Sequence, residues 1–215
     1  MAEAGTKTPR ERYRAQVRTE IKERAWRQIG EAGASALSLN AIAKQMGLSG
    51  PALYRYYANR DELITELVTD AYRSLADTFR ATAETGADLT ALANAIRAWA
   101  LEDPQRYFLV YGTPVPGYHA PDDVTRIASE IMAALLDACV VLPSDRPPTP
   151  FDAHLEGHRQ WAGDHSAPPA ALHRALTFWT RLHGILSLEL AGHFTGMGFD
   201  PARLFAAELD GLLRR

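Results

Sequence analysis

Cysteine is almost absent from this 215-residue chain. Cys139 stands alone, so no intrachain disulfide can form, and a reducing cytoplasm is the expected compartment. It sits in the apolar run Ala138-Cys139-Val140-Val141-Leu142, which favours inert core packing over redox sensing. Long hydrophobic runs are missing too. None approaches the roughly 18–20 residues that a bilayer-spanning helix needs, and the N-terminus is polar, so neither a membrane span nor a secretory leader is expected. The apolar–polar alternation of a half-buried strand appears nowhere, which leaves an all-α chain. The His-Glu-x-x-His motif of a zinc hydrolase is absent as well. With 47% hydrophobic residues, the chain is ordinary globular protein, one large domain or two modest ones.

The net charge of −3 hides an asymmetry. Up to residue 60 there are eleven Lys and Arg against five Glu, a net of +6; the remaining twelve basic and twenty-one acidic residues leave −9. A basic end on an acidic body is the footprint of a protein that offers one face to DNA.

That basic end contains the stretch from Leu37 to Leu63, which reads as two short helices joined by a tight turn, then the start of a third. Ser38 can cap the first helix, and Leu39, Ile42, Ala43 and Met46 give it one buried face. Gly47 supplies the turn and Leu48 fills the gap beneath. Ser49 caps the second helix, with Pro51 in its first turn, where a missing N–H costs least. Leu53 and Tyr57 can face inward, leaving Ser49, Gly50, Ala52, Arg55 and Tyr56 outside. Small residues let a backbone approach DNA, an arginine can read a guanine edge, and tyrosine hydroxyls can bond phosphates. Hairpins of this shape also pack in bundles that never touch DNA.

Ile42-Ala43, Gly47-Leu48-Ser49, Leu53-Tyr54-Arg55-Tyr56-Tyr57 and Asn59-Arg60-Asp61-Glu62-Leu63 together resemble, without a gap, the tetracycline-repressor (TetR) family of bacterial transcription regulators. Tyr56 stands where that family often has His, and Arg60 where it usually has Lys; both replacements can still donate to phosphate. The resemblance implies a homodimeric repressor on a pseudo-palindromic double-stranded operator. Arg55 is then expected to read bases with help from Ser49, Gly50, Pro51 and Ala52, while Ser38, Tyr54, Tyr56 and Arg60 hold phosphates. It also implies release by a small-molecule effector, whose binding tilts the helix that follows the DNA-binding motif.

Around this stretch the chain divides into a helix-turn-helix domain over 10–58, a connecting helix over 59–84 and an effector and dimerisation domain over 85–215. Val17, Ile21, Ala25 and Ile29 mark a helix from about Arg10 to Glu31. Ahead of it, Lys7, Arg10, Arg12 and Arg14 suit either a DNA-following arm or a solvated tail. Asn59 caps the connecting helix, with Glu62 at the reciprocal position. Beyond Gly86 the periodicity gives helices from Asp88 to Glu102, from Asp103, from Asp122 or Asp123 to about Val141, from Ala170 to about His193 and from Asp200. Pro143 to Pro169 reads as a surface loop or pocket lid. Its His154 and His158, four apart, could serve a metal sensor or a metal-dependent hydrolase, but no cysteine accompanies them.

In the helix from Ala170, the residues Trp179, His183 and Gly184 also resemble a subset of TetR-type C-terminal domains whose signature is Trp, three residues, then His-Gly. Leu172, Leu176, Trp179, His183, Leu186 and Leu190 form a coiled-coil-like seam, so this helix and the last one are expected to build a four-helix homodimer interface. Trp99, Tyr107, Phe108, Tyr111, Trp161, Phe178, Trp179 and His183 could line a cavity for an apolar or aromatic effector, and each could equally be core. No cofactor, metal site or catalytic group is expected. An architectural DNA-binding protein without an effector is the alternative.

Overall fold

The computed structural model describes residues 8–86, 88–112, 114–143 and 146–214, and they form helices joined by turns with no strand among them. None of the described helices is long and apolar enough to cross a membrane. The chain forms two compact units: the described residues through Val68 with 114–119, and 69–112 with 120–214.

In the first unit, α1 (Pro9–Ala32) buries Val17, Ile21, Ala25 and Ile29 along one stripe. Thr8 caps it and Glu11 returns the bond to the Thr8 N–H, so Thr8-x-x-Glu11 is a capping box. This overturns the arm and the tail alike for Arg10, Arg12 and Arg14, which lie in the first turns of α1; Lys7 lies outside the described residues. Helix α2 (Leu39–Gln45) starts at Ser38, whose Oγ accepts from the Ala41 N–H at 3.3 Å. It ends at Gly47, φ 65°, where the Leu48 N–H reaches back to the Ala43 carbonyl at 2.9 Å. Helix α3 spans only Gly50–Leu53 before the chain turns, a shorter element than the periodicity through Tyr57 suggests. Leu53 and Tyr57 are fully buried all the same.

Helix α4 (Arg60–Glu84) is continuous through the boundary between the units. Asn59 caps it, accepting from the Glu62 N–H at 2.8 Å, while Glu62 reaches one residue past the cap to the Ala58 N–H.

The second unit continues with α5 (Leu89–Glu102), α6 (Pro104–Tyr111), α7 (Asp122–Val140), α8 (Pro150–Gly157), α9 (Pro169–Leu190) and α10 (Pro201–Leu213). Helix α9 is the hub, packing on α5, α7, α8 and α10. Its buried stripe is Ala171, Leu172, Ala175, Phe178, Leu182, Ile185 and Leu186, whereas Leu176, Trp179, His183 and Leu190 of the expected seam are only partly buried. Cys139 is buried in this core, and desolvation pushes its thiol pKa up to about 12, the state of an inert packing residue.

The segment from Pro143 to Pro169 is not simply a loop. It holds α8 and a single 3₁₀ turn at Gln160–Ala162. Thr149 and Asp152 form a second capping box, and the buried Asp152 carboxylate also accepts two bonds from Arg146 at 2.7 Å and faces His173 at 2.9 Å. Arg146 chiefly holds that carboxyl well below its usual pKa. Prolines occupy the loop ends and the first turn of α8, where they cost nothing, so a proline-rich sequence concealed a helix.

Candidate nucleic-acid interface and effector cavity

The interface residues sit on a frame fixed by α1. Arg14 donates to the Arg55 carbonyl at 3.3 Å and lies 5.8 Å from the Tyr56 ring. Arg18 donates to the Tyr56 carbonyl at 3.1 Å, covers the Tyr57 ring at 4.5 Å and pairs with Glu66 of α4. Lys22 reaches the same carboxylate at 3.2 Å. Burial alone would raise the Glu66 pKa, but bonds from Arg18, Lys22 and Tyr57 outweigh it and the carboxyl is held below its ordinary value. The turn after α3 is therefore clamped between α1 and α4 by charge-assisted bonds, and its backbone carbonyls are anchored before any DNA arrives.

On that frame Ser49, Pro51, Tyr54 and Arg55 are exposed, and Ser38, Gly50, Ala52 and Tyr56 are half-buried. Ser49 accepts from the Ala52 N–H at 3.3 Å, the bond expected of a cap. Arg60, also expected on phosphate, is half-buried. Its guanidinium donates to the Ala34 carbonyl at 2.8 Å and so ties the turn between α1 and α2 to the start of α4. Residues Arg18, Lys22 and Glu66 carry no individual signal of this role. Arg18 and Lys22 do lie four apart beside the core stripe of α1, where their side chains share one face.

In the second unit, four of the eight residues expected around an effector join one cluster with Tyr72. Tyr111 packs against His183 and Trp179 at centroid distances of 4.3 and 5.9 Å, and edge-on to Tyr72 at 6.0 Å. Trp179 is 4.3 Å from His183. Tyr107 donates its hydroxyl to the His183 carbonyl at 3.2 Å and meets His183 Nδ1 at 3.0 Å and Ser187 Oγ at 2.9 Å. Phe108 lies at the edge, against Tyr107. The other three are placed as core: Phe178 is fully buried, Trp99 donates to Ser74 Oγ at 3.1 Å beneath Arg106, and Trp161 packs from the 3₁₀ turn. Tyr72 and Ser187 were not expected. The His183–Ser187 spacing of four was the available signal, since it places both on one side of a helix.

Two polar atoms of this cluster, His183 Nε2 and the Tyr111 hydroxyl, are buried with no partner among the described residues. Leaving such a group unbonded costs on the order of 1–3 kcal/mol. Desolvation lowers the His183 pKa to about 4, so the imidazole is neutral at pH 7, and burial holds the Tyr111 hydroxyl protonated. Beside them Tyr72, Tyr111, Trp179, Ala128, Ile131 and Met132 line a cavity of about 170 Å³.

His154 and His158 stack at 4.1 Å on and just beyond α8, and His158 Nδ1 contacts the His154 carbonyl at 2.9 Å. Among the described residues no group of three or more His, Cys, Asp or Glu could hold a metal ion.

The family model described as "Bacterial regulatory proteins, tetR family" matches residues 21–67, and the one described as "Tetracyclin repressor-like, C-terminal domain" matches 89–212. The HTH-type transcriptional regulator Rv1816 of Mycobacterium tuberculosis is 38% identical over 211 residues, covering 91% of this chain and 90% of that protein. The crystal structure of the regulatory protein SCO4313 is similar with a TM-score of 0.90 and 69% identity, over 97% of this chain and all of that one. The TetR-family transcriptional regulator PfmR of Thermus thermophilus shares the fold, with a TM-score of 0.57 at 17% identity over 90% of this chain and 97% of that one. Family models, relatives and helical architecture agree: this chain belongs to the TetR family and is a DNA-binding transcriptional regulator with a helix-turn-helix motif.

Proposed function

We propose that the protein is a homodimeric repressor that leaves a pseudo-palindromic operator when a small molecule occupies the aromatic cavity of its second unit. The observation that carries this reading is the pair of unpartnered buried atoms, His183 Nε2 and the Tyr111 hydroxyl, beside an open cavity. An architectural DNA-binding protein has no use for such a site. Residues 10–58 take the DNA, with Arg55 on bases beside Ser49–Ala52, and Ser38, Tyr54 and Tyr56 on phosphates. Arg60 joins them on phosphate from the start of α4, its guanidinium held by the bond to the Ala34 carbonyl.

Dimerisation uses α9 and α10, where Gly184, Leu188 and Leu213 are exposed. Two copies of this pair make a four-helix interface, and two recognition helices then meet two half-sites. To lower operator affinity a hundredfold, the effector must favour the released geometry by roughly 2.7 kcal/mol.

Transcription in vitro from a template carrying an operator selected from random duplexes by the protein tests the sign of regulation. Added protein should lower transcript yield; a rise would make it an activator. In parallel, Arg55→Ala should flatten base preference by about 1–3 kcal/mol at the contacted position, whereas Tyr54→Phe should weaken all sequences alike. Equal loss of specificity from both would contradict the assigned roles.

A further inference from the structure

The cavity bounded by Tyr72, Tyr111 and Trp179 carries more than its presence. Its volume, about 170 Å³, is close to that of an apolar cavity that holds one benzene. That space is sized for a single ring rather than a fused pair. The walls are aromatic on one side, with Trp179 and Tyr72 each edge-on to Tyr111, an arrangement that accepts a further ring at offset or edge-to-face geometry. The floor is Ala128, Ile131 and Met132 of α7, and no acidic or basic side chain is among the described residues that line the cavity. A carboxylate or ammonium group would enter without a counter-charge.

Two buried polar atoms next to the cavity have no partner among the described residues. Tyr111 lines the cavity and its hydroxyl has no partner, and His183, packed between Tyr111 and Trp179, leaves Nε2 without one. With the one Tyr107 hydrogen on the His183 carbonyl, Nδ1–H donates to the Tyr107 oxygen and Nε2 is an acceptor; with that hydrogen on Nδ1 instead, Nε2–H is a donor. A hydroxyl satisfies either tautomer because it donates and accepts, whereas a carbonyl only accepts. Resting on the effector reading above, we propose that the cavity binds a neutral one-ring aromatic bearing a hydroxyl, a phenol or benzylic alcohol, with that hydroxyl turned toward Tyr111 and His183.

Calorimetry and thermal melting of the full-length protein with phenol, toluene, benzoate and 2-naphthol test the class. Phenol should bind and raise the melting temperature, toluene should bind about tenfold more weakly, and benzoate and 2-naphthol should give no heat at the same concentrations. Tyr111→Phe gives a result that a general structural defect cannot. The free variant should melt higher than the wild type, because an unbonded buried hydroxyl is gone, yet bind phenol several-fold more weakly with toluene binding unchanged. Benzoate or 2-naphthol binding as well as phenol, or phenol binding undiminished in Tyr111→Phe, overturns the proposal. Operator binding, followed by anisotropy in the same titrations, separates the two claims. Phenol that binds without releasing DNA removes the effector reading and leaves the ligand class standing. Release by benzoate or 2-naphthol, with phenol inert, removes the class and leaves the effector reading.

Discussion

One polar cluster in each unit, around Glu66 in the first and around His183 in the second, is set among aromatic rings, and the two are built on opposite principles. Around Glu66 in the first unit, an ionised carboxylate collects Arg18, Lys22 and Tyr57, and every interaction adds to fixing α1 against α4. Around His183 in the second, the imidazole is kept neutral by burial, one of its nitrogens is bonded to Tyr107, and the other is buried with no partner among the described residues. Saturated charge produces rigidity, which a surface that must match DNA requires. An unsaturated neutral cluster leaves interaction energy for an incoming molecule to supply.

The difference is sharpest in pH, where the largest effect is expected. The His183 pKa is lower in the folded chain, about 4, than in an unfolded one, about 6.5. The unfolded state therefore binds more protons between these values. Stability should be fully present above pH 6.5 and fall by roughly 3 kcal/mol as the pH drops to about 4. His183→Gln, uncharged throughout, should flatten denaturant-melting curves in that window; an unchanged slope would assign the effect to another group. Glu66 acts elsewhere. Its folded pKa is depressed, so its contribution is present above the unfolded value of about 4.3 and is lost only as the pH falls through the folded one.

Next in size, Glu66→Gln should destabilise the first unit by about 2 kcal/mol at pH 7, since charge-assisted bonds from Arg18 and Lys22 are lost. Chemical denaturation followed by far-UV circular dichroism reads this, and an equal loss at pH 3 would contradict the role of the ionised carboxylate. Smallest is Gly47→Ala, which forces a side chain into left-handed backbone at the turn, φ 65°, and should cost about 1 kcal/mol with no change in the pH profile. A neutral effect would mean that the turn relaxes to another form.

The sequence was most informative where a structural choice is made by residues close together. Ser38, Ser49, Asn59, Asp88 and Asp200 cap the helices they precede, and Gly47 takes the left-handed turn, because each act involves atoms within four residues. Thr8-x-x-Glu11 and Thr149-x-x-Asp152 are the same kind of signal, and were masked by neighbouring prolines and basic residues. The clusters themselves were out of reach. Arg18 and Glu66 are 48 residues apart, and Tyr107 and Ser187 are 80 apart; nothing local dictates either pairing. Arg60 shows the same limit: its type and place suit phosphate, and only the fold reveals that its guanidinium holds the Ala34 carbonyl. Aromatic residues were ambiguous for a related reason. Trp99 and Trp179 look alike in sequence, yet one is core and the other a cavity wall.

The most direct test of the account is selection of bound duplexes from a random DNA library by the purified protein at physiological salt. An inverted repeat of two half-sites should emerge, matching two recognition helices related by a twofold axis. Diffuse binding that depends on salt and favours no sequence would contradict the central claim that this chain reads an operator as a dimer.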